Sequence, residues 1–172
     1  MKMLKVLLTA AVAASTIGLE ATAENVKERI ELLKDGDLSR HWYTWLKGEG
    51  RDSDPKKVFT AEGSTLKVSG EGMGCVTTRK TYRDYKLSLE FRYVDNEVQL
   101  NKTAARDGGI LFHSTGEDGA FGPGIWMSSS EFYFNGMKTG EYWDLNPSSG
   151  RIQLQSEGFG IEYRNIVLEP LE

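Results

Sequence analysis

The fold class predicted by this sequence is an all-β sandwich, and three observations predict it. Short β-prone runs recur along the chain, separated by turns that contain glycine. The longest run, YKLSLEFRYV, sets Tyr85, Leu87, Leu89, Phe91 and Tyr93 in strict alternation with Lys86, Ser88, Glu90, Arg92 and Val94. A period of two gives a strand one buried face and one polar face. No stretch resembles a parallel βαβ repeat, so two antiparallel sheets packed face to face are the simplest way to bury these faces.

The chain opens with MKMLKVLLTAAVAASTIGLEATA: basic Lys2 and Lys5, an apolar run from Leu7 to Ala14, and the small-x-small sequence Ala21-Thr22-Ala23. That order predicts a secretory signal peptide over residues 1–23, cut after Ala23, and hence a protein exported to the periplasm or beyond. The run falls short of the roughly 20 apolar residues of a membrane helix, and no later stretch approaches that length. A lipoprotein anchor would need a cysteine at the cut, and the single cysteine, Cys75, lies far from it. Removing 23 of 172 residues leaves 149, the size of one domain over residues 24–172.

Within that domain, NVKERIELLK spaces Val26, Ile30 and Leu33 along one helical face before the turn Asp35-Gly36-Asp37. This predicts a short N-terminal helix or turn leading into an entry strand. HWYTWLKGEGRDSDPKK then reads as a long surface loop, because its polar, Gly-rich and Pro-containing part cannot sit inside a sheet. VFTA, STLKVS and MGCVTT read as consecutive antiparallel strands, followed by the Tyr85–Val94 run. GGILFHS, EFYF, RIQLQS and GIEYRNIVLEPL complete the set.

Charge and cysteine usage exclude several classes. The whole chain carries a formal charge of −4, and loss of Lys2, Lys5 and Glu20 with the leader makes it −5. A nucleic-acid binder would show a basic surplus, so phosphate backbones are not the expected partner. One cysteine forms no internal disulfide, and Cys75 reads as a small buried residue rather than a nucleophile. There is no CxxC pair, HExxH, P-loop or dinucleotide-type glycine pattern.

Four Trp, seven Tyr and seven Phe sit mostly beside turns or on alternating strands. Sugar sites use aromatic rings against apolar ring faces and carboxylates, amides or Arg against hydroxyls, although any single ring is more often core. Trp126, directly after the Gly-Pro loop in GAFGPGIWMSSSE, is placed to border a groove. Glu90 and Arg92 share one face of a strand, where they either face a groove or form a solvated ion pair. His113 ends the strand GGILFH before a Gly-rich loop, a position that suits a working residue as well as a structural one. Glu131 is followed by Phe132-Tyr133-Phe134 with no acidic partner, which argues against a double-carboxylate glycosidase.

Read in order, LLKDGDLSRHWYTWLKGEGRDSDPKKVFT, YRDYKLSLEFRY, RDGGILFHSTGEDG, GPGIWMSSSEF and PSSGRIQLQSEGFGIEYRNIVLEPL resemble the secreted 3-keto-disaccharide hydrolase domains, also described as 3-keto-glucoside 1,2-lyase and 3-keto-2-hydroxyglucal hydratase domains. The resemblance runs through nearly all of residues 24–172. It implies a concanavalin-like (jelly-roll) sandwich acting on an oxidised glycoside, where a C3 ketone acidifies the C2 proton so that a base can remove it and the C1 substituent can leave. It further implies a divalent cation, with His113 and Glu131 as its ligands and Glu90, His113 and Glu131 as catalytic residues. Arg92, Asp107, Trp126 and Glu157 are the implied substrate-side residues.

One departure bears on the fold. The family places a Gln-rich strand, a further sheet section and a Trp-Asn stretch after WMSS-E-F, whereas Glu131-Phe132 here runs straight into Tyr133-Phe134-Asn135-Gly136. Missing strands leave neighbours with unpaired edges. The shortened middle and the absent carboxylate pair also fit a second reading, a non-catalytic carbohydrate-binding module on the same sandwich.

Overall fold

The computed structural model describes residues 3–10, 23–95, 106, 108–119, 130–142 and 148–171. In chain order the strands are β1 (Leu4–Ala10), β2 (Glu24–Asn25), β3 (Ile30–Glu31), β4 (Trp42–Leu46), β5 (Gly50–Arg51), β6 (Phe59–Glu62), β7 (Thr65–Val68) and β8 (Met73–Thr78). There follow β9 (Tyr82–Arg83), β10 (Tyr85–Val94), β11 (Ile110–Ser114), β12 (Ser130–Phe134), β13 (Met137–Tyr142), β14 (Arg151–Glu157) and β15 (Gly160–Pro170). The described residues contain no helix, so the all-β expectation holds.

Two antiparallel sheets form the sandwich. The larger has the order β13-β12-β1-β10-β15-β7-β6, with β3 also paired to β15, and the smaller has the order β11-β14-β8-β4-β5. β2 and β9 form a separate two-stranded parallel pair, tied to the smaller sheet's side by a bridge between Tyr82 and Gly150. Alternation decides what fills the space between. From the smaller sheet Trp42, Leu46, Val76, Phe112, Ile152 and Leu154 enter the shared core, and from the larger Leu66, Val68, Leu87, Leu89, Ile161, Tyr163 and Leu168 do. At ~25 cal/mol per Å2 this continuous apolar layer is the main source of stability for a fold without a disulfide.

Two sequence expectations change. The helical face over 25–34 is instead extended chain. Ile30 pairs with Leu168, consecutive Leu32 and Leu33 are both buried, and Leu32 carbonyl accepts a 2.6 Å hydrogen bond from Trp42 Nε1. Those tertiary partners outweigh a helical period spread over three residues. The turn at its end is present, with Asp35 and Gly36 at positive φ. The expected loop from residue 41 begins as strand β4, which pairs with β8 along its whole length, and only the region beyond β5 is loop.

The strand β1 falls inside the segment whose pattern predicts a signal peptide. It lies between β10 and β12, with Leu4–Ala10 matched to Phe91–Tyr85 on one side and Val6–Ala10 matched to Phe134–Ser130 on the other. Val6 packs against the core while Lys5, on the opposite face, sits 3.5 Å from Glu90. Among the described strands, β1 alone joins the β12–β13 hairpin to the rest of the sheet. Leu7→Pro in the full chain removes a ladder donor from an interior strand, so we expect a loss of about 1–3 kcal/mol in denaturant unfolding and new proteolytic cuts within residues 130–142. Unchanged unfolding would show that residues 4–10 contribute nothing to the sheet.

Candidate functional site

The outward face of the smaller sheet is polar and aromatic where its inward face is apolar. On β4 Tyr43 and Trp45 point outward between core-facing Trp42 and Leu46. Register then sets the rest of the face: Tyr43 lies opposite Thr77, and Thr77 opposite Gln153. Trp45 lies opposite Cys75 on one side and Arg51 on the other, and Cys75 lies opposite Gln155. Trp45, Lys47, Cys75, Leu111, Ser114, Thr115, Glu117, Gly119, Gln153, Gln155 and Glu157 line a groove of about 410 Å3 across this face.

Several contacts hold these groups in fixed orientations. Gln155 Oε1 accepts from the Gly109 amide at 3.0 Å, and its Nε2 donates to Glu157 Oε1 at 3.0 Å, which aims the Glu157 carboxylate. The loop after β11 crosses above Trp45 at Gly119, where an added Cβ would come within 2.1 Å of the indole. Tyr43 donates to Asp118 Oδ1 at 2.7 Å and accepts from Arg151 Nη1 at 2.8 Å. Burial and the hydrogen bond to Asp118 push the Tyr43 phenol up to about 12. Burial also raises the Cys75 thiol, which touches Thr77 Oγ1 at 3.4 Å, so Cys75 behaves as the buried, unreactive residue its sequence context suggests.

Of the residues singled out from sequence, the structure places Glu157 in this groove. Glu90 and Arg92 occupy the outer face of the larger sheet, on the other side of the sandwich. Glu90 accepts from Arg164 Nε at 2.7 Å, and Arg92 Nε donates to Glu162 at 2.7 Å. The Arg164 hydrogen bond holds the Glu90 carboxyl below its ordinary value. They form solvated cross-strand ion pairs, the alternative that strand alternation leaves open for them. Glu131 belongs to β12 of the larger sheet, with Cα partners Thr9 and Glu141. Asp107 and Trp126 lie outside the described residues.

His113 is a correction. A register break between Leu111 and Ser114 and a φ of 53° at His113 turn consecutive Phe112 and His113 both inward. The imidazole is fully buried, edge-on to Tyr85 at 5.5 Å and to Phe112 at 5.7 Å between centroids. Gly150 admits this bulge, because a Cβ there would meet the His113 backbone at 2.2 Å. The strand-end position is as expected, but the bulge sends the ring into the core instead of the groove.

The two residues implied as ligands of a divalent cation stand on different sheets. His113 is a core residue of the smaller sheet and Glu131 stands on the larger, and no group of three His, Cys, Asp or Glu able to hold a metal occurs among the described residues.

Sequence reasoning missed Tyr43, Trp45, Gln153 and Gln155. The alternation of Tyr43 and Trp45 with Trp42 and Leu46 carried the signal, as did RIQLQSE, where Arg151, Gln153, Gln155 and Glu157 take every second place.

No protein-family model and no curated protein matches the chain. Among solved structures it is similar to a candidate glycosyl hydrolase from Parabacteroides distasonis ATCC 8503, with a TM-score of 0.58 over 85% of this chain and 95% of that one, at 12% identity. That likeness establishes a shared sandwich fold.

Two outcomes test these placements. His113→Ala should cost about 2–4 kcal/mol in denaturant unfolding by opening a core cavity, whereas Arg92→Ala should cost under ~1 kcal/mol as an exposed pair. Tyrosine ionisation gives a pH signature. The folded value of Tyr43 lies above the ordinary value near 10, so its stabilising contribution is complete below about pH 10 and is lost as pH rises toward 12. Tyr82, also raised to about 12 by burial, acts in the same direction. Melting temperatures should therefore fall across that interval, less steeply in Tyr43→Phe.

Proposed function

We propose that this protein is a carbohydrate-active β-sandwich whose sugar lies in the groove on the outer face of the smaller sheet. The supporting observation is the combination in one open groove of an indole, Trp45, with the amides of Gln153 and Gln155 and the carboxylates of Glu117 and Glu157. An indole covers the apolar face of a sugar ring, while oriented amides and carboxylates pair with its hydroxyls. The fold likeness to a candidate glycosyl hydrolase and the resemblance to 3-keto-glycoside domains point the same way.

The reaction we propose is elimination from a 3-keto-glycoside, and it rests on Glu157 and Lys47 lining the same groove. Glu157, aimed by Gln155, takes the C2 proton, which the neighbouring C3 ketone has acidified. The electron pair left at C2 moves onto the C3 oxygen, where the Lys47 ammonium offsets the developing negative charge. Collapse of that enolate forms the C1–C2 double bond and expels the C1 substituent, which takes up a proton on release. Water addition to the unsaturated product completes a net hydrolysis. Exported and acting outside the cytoplasm is the setting that the N-terminal pattern suggests.

The experiment incubates the full chain with a 3-keto-glucoside and measures aglycone release alongside calorimetric binding of neutral oligosaccharides. Glu157→Gln should lower release by roughly 10^2-fold or more at an unchanged melting temperature. Trp45→Ala should weaken neutral-sugar binding about tenfold, equivalent to ~1.4 kcal/mol for one lost stacking contact. Binding without release would favour the non-catalytic module, to which the dispersed Glu90, His113 and Glu131 also point. Absence of both binding and release would overturn the carbohydrate reading.

A further inference from the structure

Next to the groove, on the β5 side of Trp45, lies a cluster whose character a neutral sugar does not require. Three guanidinium groups converge on the Tyr43 ring: Arg51 lies over it at 3.6 Å from the centroid, and Arg79 and Arg151 each stand at 6.0 Å. Register makes this the continuation of the groove, since Arg51 is the cross-strand neighbour of Trp45, and Arg151 stands two residues before Gln153 on the same face. The opposing charges are Asp52, at 3.8 Å from Arg51 and 3.4 Å from Arg79, and Asp118, bound to the Tyr43 hydroxyl. Two carboxylates against three guanidiniums leave a surplus of one positive charge.

The roles of the three arginines differ. Arg151 is committed to structure, donating to Tyr43 Oη at 2.8 Å and to the Gly116 carbonyl at 2.7 Å. Arg79 donates through Nε to the Ser39 carbonyl at 2.9 Å and meets Asp52 through Nη2. Arg51 sits over an aromatic ring with its side chain 49% exposed, so the guanidinium stays in reach of a ligand. The ring contact restrains the guanidinium while solvent access is kept, a state in which arginine recognises anions with little further loss of freedom. Along the groove, charge thus runs from a basic end at Tyr43 to an acidic end at Glu157.

We propose that the Tyr43 end of the groove is an anion subsite, holding a negatively charged substituent of the bound glycan against Arg51 and Arg79. The ligand class is then an acidic saccharide, with a uronate carboxylate as the group that best matches the planar fork. This rests on the groove being a sugar site, and the test is arranged so that the two can fail separately.

Binding to the full chain is measured by calorimetry for three matched oligosaccharides, one neutral, one ending in glucuronate and one carrying a sulfate ester. The expected result is glucuronate binding about tenfold tighter than neutral at low salt, with the advantage shrinking as ionic strength rises. Arg51→Gln together with Arg79→Gln should erase the advantage while leaving neutral-sugar affinity unchanged. Arg51→Lys, which keeps the charge and loses the fork, should retain only part of it. A sulfate arm that equals the glucuronate arm would keep the subsite and overturn the uronate assignment. Equal affinity for all three arms, or an acidic-arm advantage that survives the double substitution, would overturn the subsite and leave the groove as a neutral sugar site. Absence of binding in every arm would sink both. If the double variant does not fold, the comparison of arms and the salt dependence in the unaltered chain decide the matter.

Discussion

The ladder between β10 and β15 is the interaction on which the rest of the molecule depends. These are the two longest strands, and they run antiparallel from Tyr85 against Pro170 to Val94 against Gly160, with one irregularity between Ser88 and Glu90. Their inward residues, Leu87 and Leu89 with Ile161, Tyr163 and Leu168, form the floor of the core. Every other strand of the larger sheet attaches to one edge of this pair or the other, β1 beyond β10 and β7 and β3 beyond β15. The smaller sheet in turn packs its apolar face on that floor. Substitutions that disturb the pair should therefore spread through both sheets, whereas the outer-face ion pairs of Glu90 and Arg92 can change at little cost.

The site follows from the same packing by subtraction. Once Trp42, Val76, Ile152 and Leu154 are committed inward, a strand has no freedom about its remaining residues, and Tyr43, Cys75, Thr77, Gln153 and Gln155 must stand on the opposite face. Cross-strand pairing then gathers them into adjacent columns without any loop having to choose. Loops add the finishing contacts, Gly119 above the Trp45 ring and Asp118 on the Tyr43 hydroxyl. The placement of polar groups is thus rigid where it comes from strands and adjustable where it comes from the turn after β11.

What was legible in the sequence was whatever depends on period two. The Tyr85–Val94 strand, the antiparallel sandwich and the burial of Cys75 all follow from local pattern and size. Register and strand order are long-range properties, and the errors lie there. Nothing local tells whether the polar face of Tyr85–Val94 looks onto a groove or onto solvent, because that depends on which sheet its neighbours build. Nor does GGILFHS announce that His113 adopts φ 53° and joins Phe112 in the core, since Gly150, which makes room for that bulge, is 37 residues further on. The helical spacing in 25–34 failed for a related reason: Leu168 and Trp42 supply partners that a window of ten residues does not contain.

The N-terminal segment shows how one pattern can satisfy two physical demands. An apolar run flanked by lysine suits an export signal, and the same residues, read with period two, suit a strand with Val6 inward and Lys5 outward. The chain runs from Phe132 directly into Tyr133 and Phe134 at the end of β12, and β1 stands beside that strand. A central position cannot be left empty without exposing the backbone donors and acceptors of both neighbours. A cut after Ala23 would remove β1, so the eight-stranded sheet of the full chain and a chain so shortened would be two different states. In the second, the edge of β10 and the β12–β13 hairpin must find each other or another strand. The groove on the smaller sheet is built from β4, β5, β8, β11 and β14 and does not include β1, so its side chains keep their scaffold in either state.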